Sequence, residues 1–193
     1  MANGRVTTGF SKPYVALYTA TSGTVTYASG AVLARGVNVS ITPDDPGDNN
    51  FYADNIVAET AAQGSGTGEI TLTVDGLKDA ANKLIFGLPT ADSAGWTHYG
   101  ISQSIPNVGI GFVIRVQEDQ AVSYVPCIIR KAVFNDASTE AATQEDSIDW
   151  QTQELSARYM RDDTAAADWK WLGESVSTEA AAEAKIKTVF SIS

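Results

Sequence analysis

The stretch Gly68-Glu69-Ile70-Thr71-Leu72-Thr73-Val74 is the clearest strand in the sequence, because apolar and polar residues alternate through it. Alternate side chains of an extended chain point to opposite faces, so Ile70, Leu72 and Val74 share one face. The other face carries only glutamate and threonine. The stretch therefore predicts a strand that buries one face and leaves a polar face outside.

A second strand of the same kind precedes it, at Val37-Asn38-Val39-Ser40-Ile41-Thr42. Residues 43–50, which include two prolines and three aspartates, then interrupt the alternation with turn-forming residues. The extended pattern resumes over residues 51–62. We therefore expect residues 37–42 and 51–62 to pair as a hairpin, with a long acidic tip at residues 42–51.

Further strand patterns follow along the chain. Residues 108–116 alternate between large apolar residues and small or polar ones. Residues 125–133 are apolar on both faces apart from two adjacent basic residues, which indicates a strand covered on both sides. Extended segments are also expected over residues 147–159 and 169–171.

Two helices are predicted as well. An apolar stripe at helical spacing over residues 77–85 predicts a helix with Asp75 as its N-cap and Gly87 at its end. A second helix is expected over residues 178–190, capped by its own first residue. Together these patterns predict a single domain over residues 1–193. Its fold class is mainly β, a β-sandwich or partly open barrel with one or two flanking α-helices.

The charge balance narrows the function classes. The chain has 13 basic and 23 acidic residues, for a formal net charge of −10. Proteins that bind DNA tightly usually carry a basic surface, because affinity comes from neutralising phosphates. The acidic balance is explained either by solubility or, more specifically, by a conduit whose wall does not hold its cargo.

The cysteine content and the N-terminus indicate where the protein is made. One cysteine, Cys127, cannot form an intramolecular disulfide, as is typical of proteins that fold in a reducing cytoplasm. Residues 1–8 have no apolar core of signal-peptide length. No run approaches the ~20 apolar residues that a membrane helix requires. We expect a protein made in the cytoplasm without a signal peptide or a membrane anchor.

No catalytic motif emerges from the titratable residues. Cys127 with His98 is one conceivable nucleophilic pair, but Cys127 lies in an apolar strand pattern that favours a buried, unreactive thiol. The aspartates at 44, 45, 48 and 54 invite a calcium interpretation, but they lack the spacing of a calcium loop, and a solvated tip is favoured. We expect no enzyme, no cofactor and no metal site.

Several blocks of sequence occur in an order typical of one family. They are Gly9-Phe10-Ser11-Lys12-Pro13-Tyr14-Val15-Ala16, Tyr52-Ala53-Asp54-Asn55, Gly68–Thr73 running into the helix at 77–86, and Trp169-Lys170-Trp171 before an Ala/Glu-rich terminal helix. The set resembles the major tail (tail tube) proteins of long, non-contractile-tailed bacteriophages. The resemblance covers most of the chain and departs from the family pattern in the low-information regions 165–167 and 175–184.

The resemblance implies a structural virion protein with a tail-tube fold. Its subunits would form hexameric rings in which each copy lends strands to one inner β-barrel, and the rings would stack into a tube for genome ejection. It implies other tail proteins as partners, among them the tape-measure, terminator and distal tail proteins. DNA would pass through without specific binding. The protein would be made in the host cytoplasm and reside in the phage tail.

Specific residues follow from combining the strand patterns with this resemblance. Polar strand residues are the candidates for the lumen wall, because short neutral side chains bind phosphate poorly: Asn38, Ser40, Thr42, Thr71, Thr73, Gln151 and Gln153. The tip at 42–51 and an N-terminal arm at 1–12 are the candidates for contacts between rings, through Asp44, Asp45, Asp48, Asn49, Asn50 and Phe10.

Other function classes stay open at this point. One is another β-rich virion or injection-system component, such as a capsid decoration domain or the tube protein of a contractile system. Another is a carbohydrate-binding module, suggested by Trp96, Trp150, Trp169 and Trp171. That module is expected to be monomeric and to bind glycans, whereas the tube protein is expected to self-assemble.

Overall fold

The computed structural model describes residues 4–47, 49–53, 56–61, 64–101, 103–136 and 151–192. Within these residues the chain is mainly β, with two helices. In chain order the elements are β1 (Val6–Thr21), β2 (Thr24–Val32), β3 (Gly36–Pro43), β4 (Asn49–Ala53), β5 (Ile56–Ala61), β6 (Gly68–Val74), α1 (Asp79–Phe86), β7 (Val108–Glu118), β8 (Ala121–Phe134), β9 (Gln153–Met160), β10 (Lys170–Leu172) and α2 (Glu179–Val189).

Eight of these strands form one open antiparallel sheet. Their order is β2-β1-β7-β8-β9-β6-β3, and the short β10 also pairs with β8. The strands β4 and β5 pair with each other in a separate two-stranded sheet. The prediction of a mainly β chain with flanking helices is thus confirmed. The short strand expected at 169–171 is confirmed at Lys170–Leu172.

The sheet curls around the main core. Phe10 of β1 packs against the backbone of Gly36 at the start of β3, so the second strand at one end of the order approaches the last strand at the other end. The enclosed face is apolar, and α1 adds Ala81, Ile85 and Phe86 to it. Two predicted features of α1 are confirmed: its apolar stripe faces the core, and Gly87 ends it with a left-handed φ of 60°.

The second helix packs on the outer face of the sheet. Ala182, Ile186 and Phe190 are fully buried there, against β7 and β8. A Cβ atom at Gly111 would lie 2.5 Å from the Ile186 side chain, so glycine is needed for the helix to come this close. The predicted cap is confirmed, since the Thr178 side chain accepts a hydrogen bond from the Ala181 amide at 3.3 Å. Cover on both faces explains why residues 125–130 of β8 are all buried.

The predicted hairpin between residues 37–42 and 51–62 is wrong. β3 pairs with β6, with Thr42 opposite Glu69, and the pairing extends to a 2.9 Å hydrogen bond from the Asp44 amide to the Thr67 carbonyl. The strands β4 and β5, which come between β3 and β6 in the chain, pair with each other instead. Alternation identified the strands correctly but says nothing about which strand pairs with which.

The predicted cap of α1 is also wrong. The helix begins at Asp79, after Lys78, with no side-chain cap. Asp75 instead accepts a hydrogen bond from the Arg35 amide at 2.8 Å and another from the Arg35 guanidinium. The competing partner is distant in sequence, which is why a local capping rule did not find it.

A buried ion pair ties the chain segment after β9 to the sheet. Arg130 of β8 donates to Asp162 Oδ2 from two nitrogens, at 2.9 and 2.8 Å, and both side chains are almost fully buried. The guanidinium lies 3.6 Å from the ring centre of Trp171, and Asp162 Oδ1 accepts hydrogen bonds from Thr164. Burial raises the pKa of Asp162, but the hydrogen bonds from Thr164 and Arg130 outweigh it and hold that pKa below its usual range.

We expect Asp162→Ala to lower the free energy of unfolding by about 3–5 kcal/mol, because it leaves Arg130 buried without a counter-charge. Arg35→Ala, at a pair whose guanidinium is 92% exposed, should cost far less. Urea unfolding of both variants measures the two losses in free energy of unfolding. Because the folded pKa of Asp162 is lowered, its contribution is present above the unfolded value of about 3.9 and fades as the pH falls. An equal loss in the two variants at pH 7 would contradict the assignment.

Candidate functional surface

Three neighbouring strands, β3, β6 and β9, present one continuous polar face. The register places Asn38 opposite Thr73 and Ser40 opposite Thr71 across β3 and β6. Thr71 in turn lies opposite Ser156 of β9. Side chains directly opposite each other in an antiparallel pair lie on the same face. This surface, called the polar face below, consists of Asn38, Ser40, Thr42, Glu69, Thr71, Thr73, Glu154, Ser156 and Arg158.

The polar face exists because its strands are two-sided. The residues between its members point inward, and in β6 and β9 Ile70, Leu72, Leu155 and Ala157 are all buried in the core. Burying the apolar set fixes the register, since a slip by one residue would exchange the two faces. The outward set is exposed or half-buried. The core thus dictates which side chains the surface displays.

The charges on this face nearly balance. Six of its nine residues are neutral, and the others are Glu69, Glu154 and Arg158. Glu69 lies opposite Arg158 across the β6–β9 pair. Arg158 also donates to Asp44 Oδ2 at 2.8 Å, and Asp44 accepts a second hydrogen bond from the Thr67 hydroxyl at 2.8 Å. The cation on this surface is therefore already paired with a carboxylate of its own chain.

The structure brings together five of the seven residues predicted for the lumen wall: Asn38, Ser40, Thr42, Thr71 and Thr73. Gln153 belongs to the opposite face, because it pairs with Val74, and its Oε1 accepts a hydrogen bond from the Leu77 amide at 3.3 Å. Gln151 precedes β9. Sequence reasoning missed Glu154, Ser156 and Arg158, although their alternation with Leu155, Ala157 and Tyr159 is visible in the sequence.

The residues predicted for contacts between rings occupy different settings. Asp44 is held at the base of the 45–66 segment by Arg158 and Thr67. Asp45 is exposed and accepts a hydrogen bond from the Gly47 amide at 2.9 Å. Asn49 and Asn50 begin β4, and Asp48 lies outside the described residues.

The N-terminal segment is part of the sheet from residue 6 onward. Val6 lies opposite Gln117 and Phe10 opposite Ile114, so this part of the predicted arm is a paired strand. The ring of Phe10 packs edge-on against Phe112, with 5.4 Å between the ring centres. Phe10 is therefore a half-buried residue at the junction of β1 and β3 and does not extend away from the subunit.

The two residues considered for catalysis have different surroundings. Cys127 is buried in β8, and burial raises its pKa to about 12. His98 is exposed in the loop after α1 and contacts Asp92 at 2.9 Å. In the part of the chain that the structure describes, no three metal-ligating side chains come together. Among the same residues, no helix is long and apolar enough to cross a membrane.

Comparison with known proteins adds no assignment. The chain matches no model of a known protein family, and a search of curated proteins finds no significant relative. The arguments below therefore rest on the chain's own residues and on the resemblance described above.

We expect Cys127 to be unreactive toward Ellman's reagent in the folded protein at pH 8. Its side chain is buried, and a pKa of about 12 leaves a thiolate fraction on the order of 10⁻⁴. A Val32→Cys variant, which places a thiol at a 41% exposed position, should release one equivalent of chromophore quickly. Rapid reaction of Cys127 in the native wild type would show an accessible, activated thiol and reopen the nucleophile hypothesis.

Proposed function

We propose that the protein is the tail tube subunit of a long, non-contractile-tailed bacteriophage. In this proposal its copies form hexameric rings that stack into the conduit for genome ejection, and it catalyses no reaction. In this proposal the open, curled sheet would be the subunit's contribution to a tail-tube barrel. Other tail proteins would be its partners in the virion, with the host cytoplasm as the place of synthesis.

The polar face is the observation that carries this proposal. A DNA conduit needs a wall that is wetted but offers few cations, because phosphate binding depends on lysine and arginine. Six of the nine side chains of this face are neutral, and its one guanidinium is paired with Asp44. Since screening limits electrostatic reach to about 8 Å at physiological salt, the local composition of this surface matters more than the net charge of −10.

The edges of the sheet favour assembly with further copies. Within the described residues, β2 and β3 end the strand order of the large sheet, and neither carries a charged residue. The short β10 lies off this order, pairs only with β8 and carries Lys170. Proteins that remain monomeric usually protect such edges with charges, bulges or covering elements. β3 has only a terminal proline and one irregularity near Gly36, and β2 has one irregularity in its pairing with β1. A ring in which each copy contributes a strand to a sheet edge of its neighbour removes this hazard, through a closed head-to-tail interface.

The carbohydrate-binding alternative has one observation in its favour. Trp96 and Tyr99 are 71% and 63% exposed in the loop after α1. The other described tryptophans are engaged, since Trp169 stacks on Tyr159 with 4.8 Å between ring centres and Trp171 covers Arg130. They do not extend the exposed pair into a larger aromatic platform.

Negative-stain electron microscopy of the purified chain, with light scattering on the same sample, tests the assembly. We expect rings or hollow tubes, because uncharged sheet edges favour association between copies. A strict monomer across a range of protein and salt concentrations, together with glycan binding on an array, would replace this proposal with the carbohydrate-binding module.

The polar face itself is tested with added lysines. Ser40→Lys with Thr71→Lys changes two residues that lie opposite each other on this face, and we expect tubes of this variant to retain short DNA in a nuclease-resistant form. The matched control is Thr19→Lys with Thr26→Lys, an equivalent opposed pair on β1 and β2. We expect the face variant to retain on the order of tenfold more protected DNA than the control. Equal protection in the two variants would remove the polar face from the lumen.

A further inference from the structure

A seam between β1 and β3 leaves part of the core open. The two strands touch where Phe10 packs on Gly36, and beyond this point a groove of about 380 Å³ opens. Its lining is apolar apart from Thr7 and Asn38, and it includes Val37, Val39, Ile41, Phe112 and Ile114. Val37 is 56% exposed, although its neighbours Val39 and Ile41 pack against the core.

Backbone edges border the groove on both sides. Among the residues that the structure describes, β3 pairs only with β6, and residues 6–11 of β1 pair only with β7, because β2 joins β1 from Tyr14 onward. Within the described residues no strand occupies the space between them. A strand edge with free amides and carbonyls beside an apolar groove is the arrangement that binds an added strand.

The same chain contains two strands that lie outside the eight-stranded sheet. β4 and β5 pair with each other and, among the described residues, with no other strand. An isolated two-stranded hairpin is marginally stable in water and gains from packing on another surface. The hairpin sequence supplies Phe51, Tyr52, Ile56 and Val57. In the chain the hairpin lies between β3, which ends at Pro43, and β6, which begins at Gly68.

Charge does not oppose contact between the hairpin and the seam. The nine residues that line the groove are uncharged. Residues 44–67 carry five acidic and no basic side chains. Arg35, which is 92% exposed and paired with Asp75, precedes β3, and Arg5 precedes β1, so basic residues flank the two free edges.

We propose that the β4–β5 hairpin of one copy docks on the β1–β3 seam of a second copy. It would hydrogen-bond to the free edge of β3 and cover the apolar side chains around Val37. This inference deepens the proposed tube function, because it supplies a heterologous contact that repeats from copy to copy.

Two variants of the full-length protein separate the donor from the acceptor. In the first, residues 45–66 are replaced by the dipeptide Asn-Gly, which suits a two-residue turn because Asp44 and Thr67 are already hydrogen-bonded across the β3–β6 pair. This variant keeps the seam and lacks the hairpin. In the second, Val37→Asp puts a carboxylate in the groove and leaves the hairpin intact. Val32→Asp, on the other edge strand, is the matched control.

Analytical ultracentrifugation measures the oligomeric state of each variant alone and of the mixture. We expect each variant alone to be a monomer and the mixture to form a one-to-one heterodimer that grows no further. Val37→Asp should weaken self-association at least about tenfold, and Val32→Asp should leave it within about twofold of wild type.

Each contrary result has a definite meaning. Absence of a heterodimer, or wild-type association of either variant alone, overturns the docking. Wild-type rings without a heterodimer reject the docking and leave the tube function intact. A heterodimer from a protein that never forms rings supports the docking and rejects the tube. Circular dichroism spectra that match wild type establish that both variants are folded.

Discussion

The register that joins β3, β6 and β9 is the constraint on which the rest of the structure depends. It is fixed by the buried side chains Ile70, Leu72 and Leu155, because a slip by one residue would move them to the outer face. Once they are inside, the residues between them must lie outside. The polar face is therefore a consequence of core packing, and a surface that suits a DNA conduit is produced by the same alternation that folds the sheet.

The opposite side of the molecule is stabilised differently. Helix α2 covers β7 and β8, where two glycines allow its side chains to approach the strands. Arg130 and Asp162 hold the segment after β9 in place next to β10. One side is covered by a helix, and β1 approaches β3 at Phe10 and Gly36. The polar face, the sheet edges and the seam are surfaces of the described residues that other molecules can reach.

Sequence patterns predicted the strands far better than their pairing. The alternation at residues 37–42 and 69–74 gave the faces of β3 and β6 correctly, and Thr178 and Gly87 marked helix ends as expected. The hairpin partner of β3 was wrong, because pairing depends on long-range contacts that alternation does not encode. The predicted N-cap role of Asp75 was wrong for the same reason, because Asp75 binds Arg35, which is distant in the sequence. Gln153 was assigned to the wrong face because the polar run 151–154 hides the strand period, which becomes visible only from Leu155 onward.

The central claim is that the polar face lines the lumen of an assembled tube. A cryo-electron microscopy reconstruction of tubes formed by this chain tests it most directly. The account predicts that Ser40, Thr71 and Ser156 of every copy point toward the tube axis, with Ile70 and Leu72 behind them in the wall. A lumen lined by basic or aromatic side chains, with Ser40 and Thr71 on the outer surface, would contradict it.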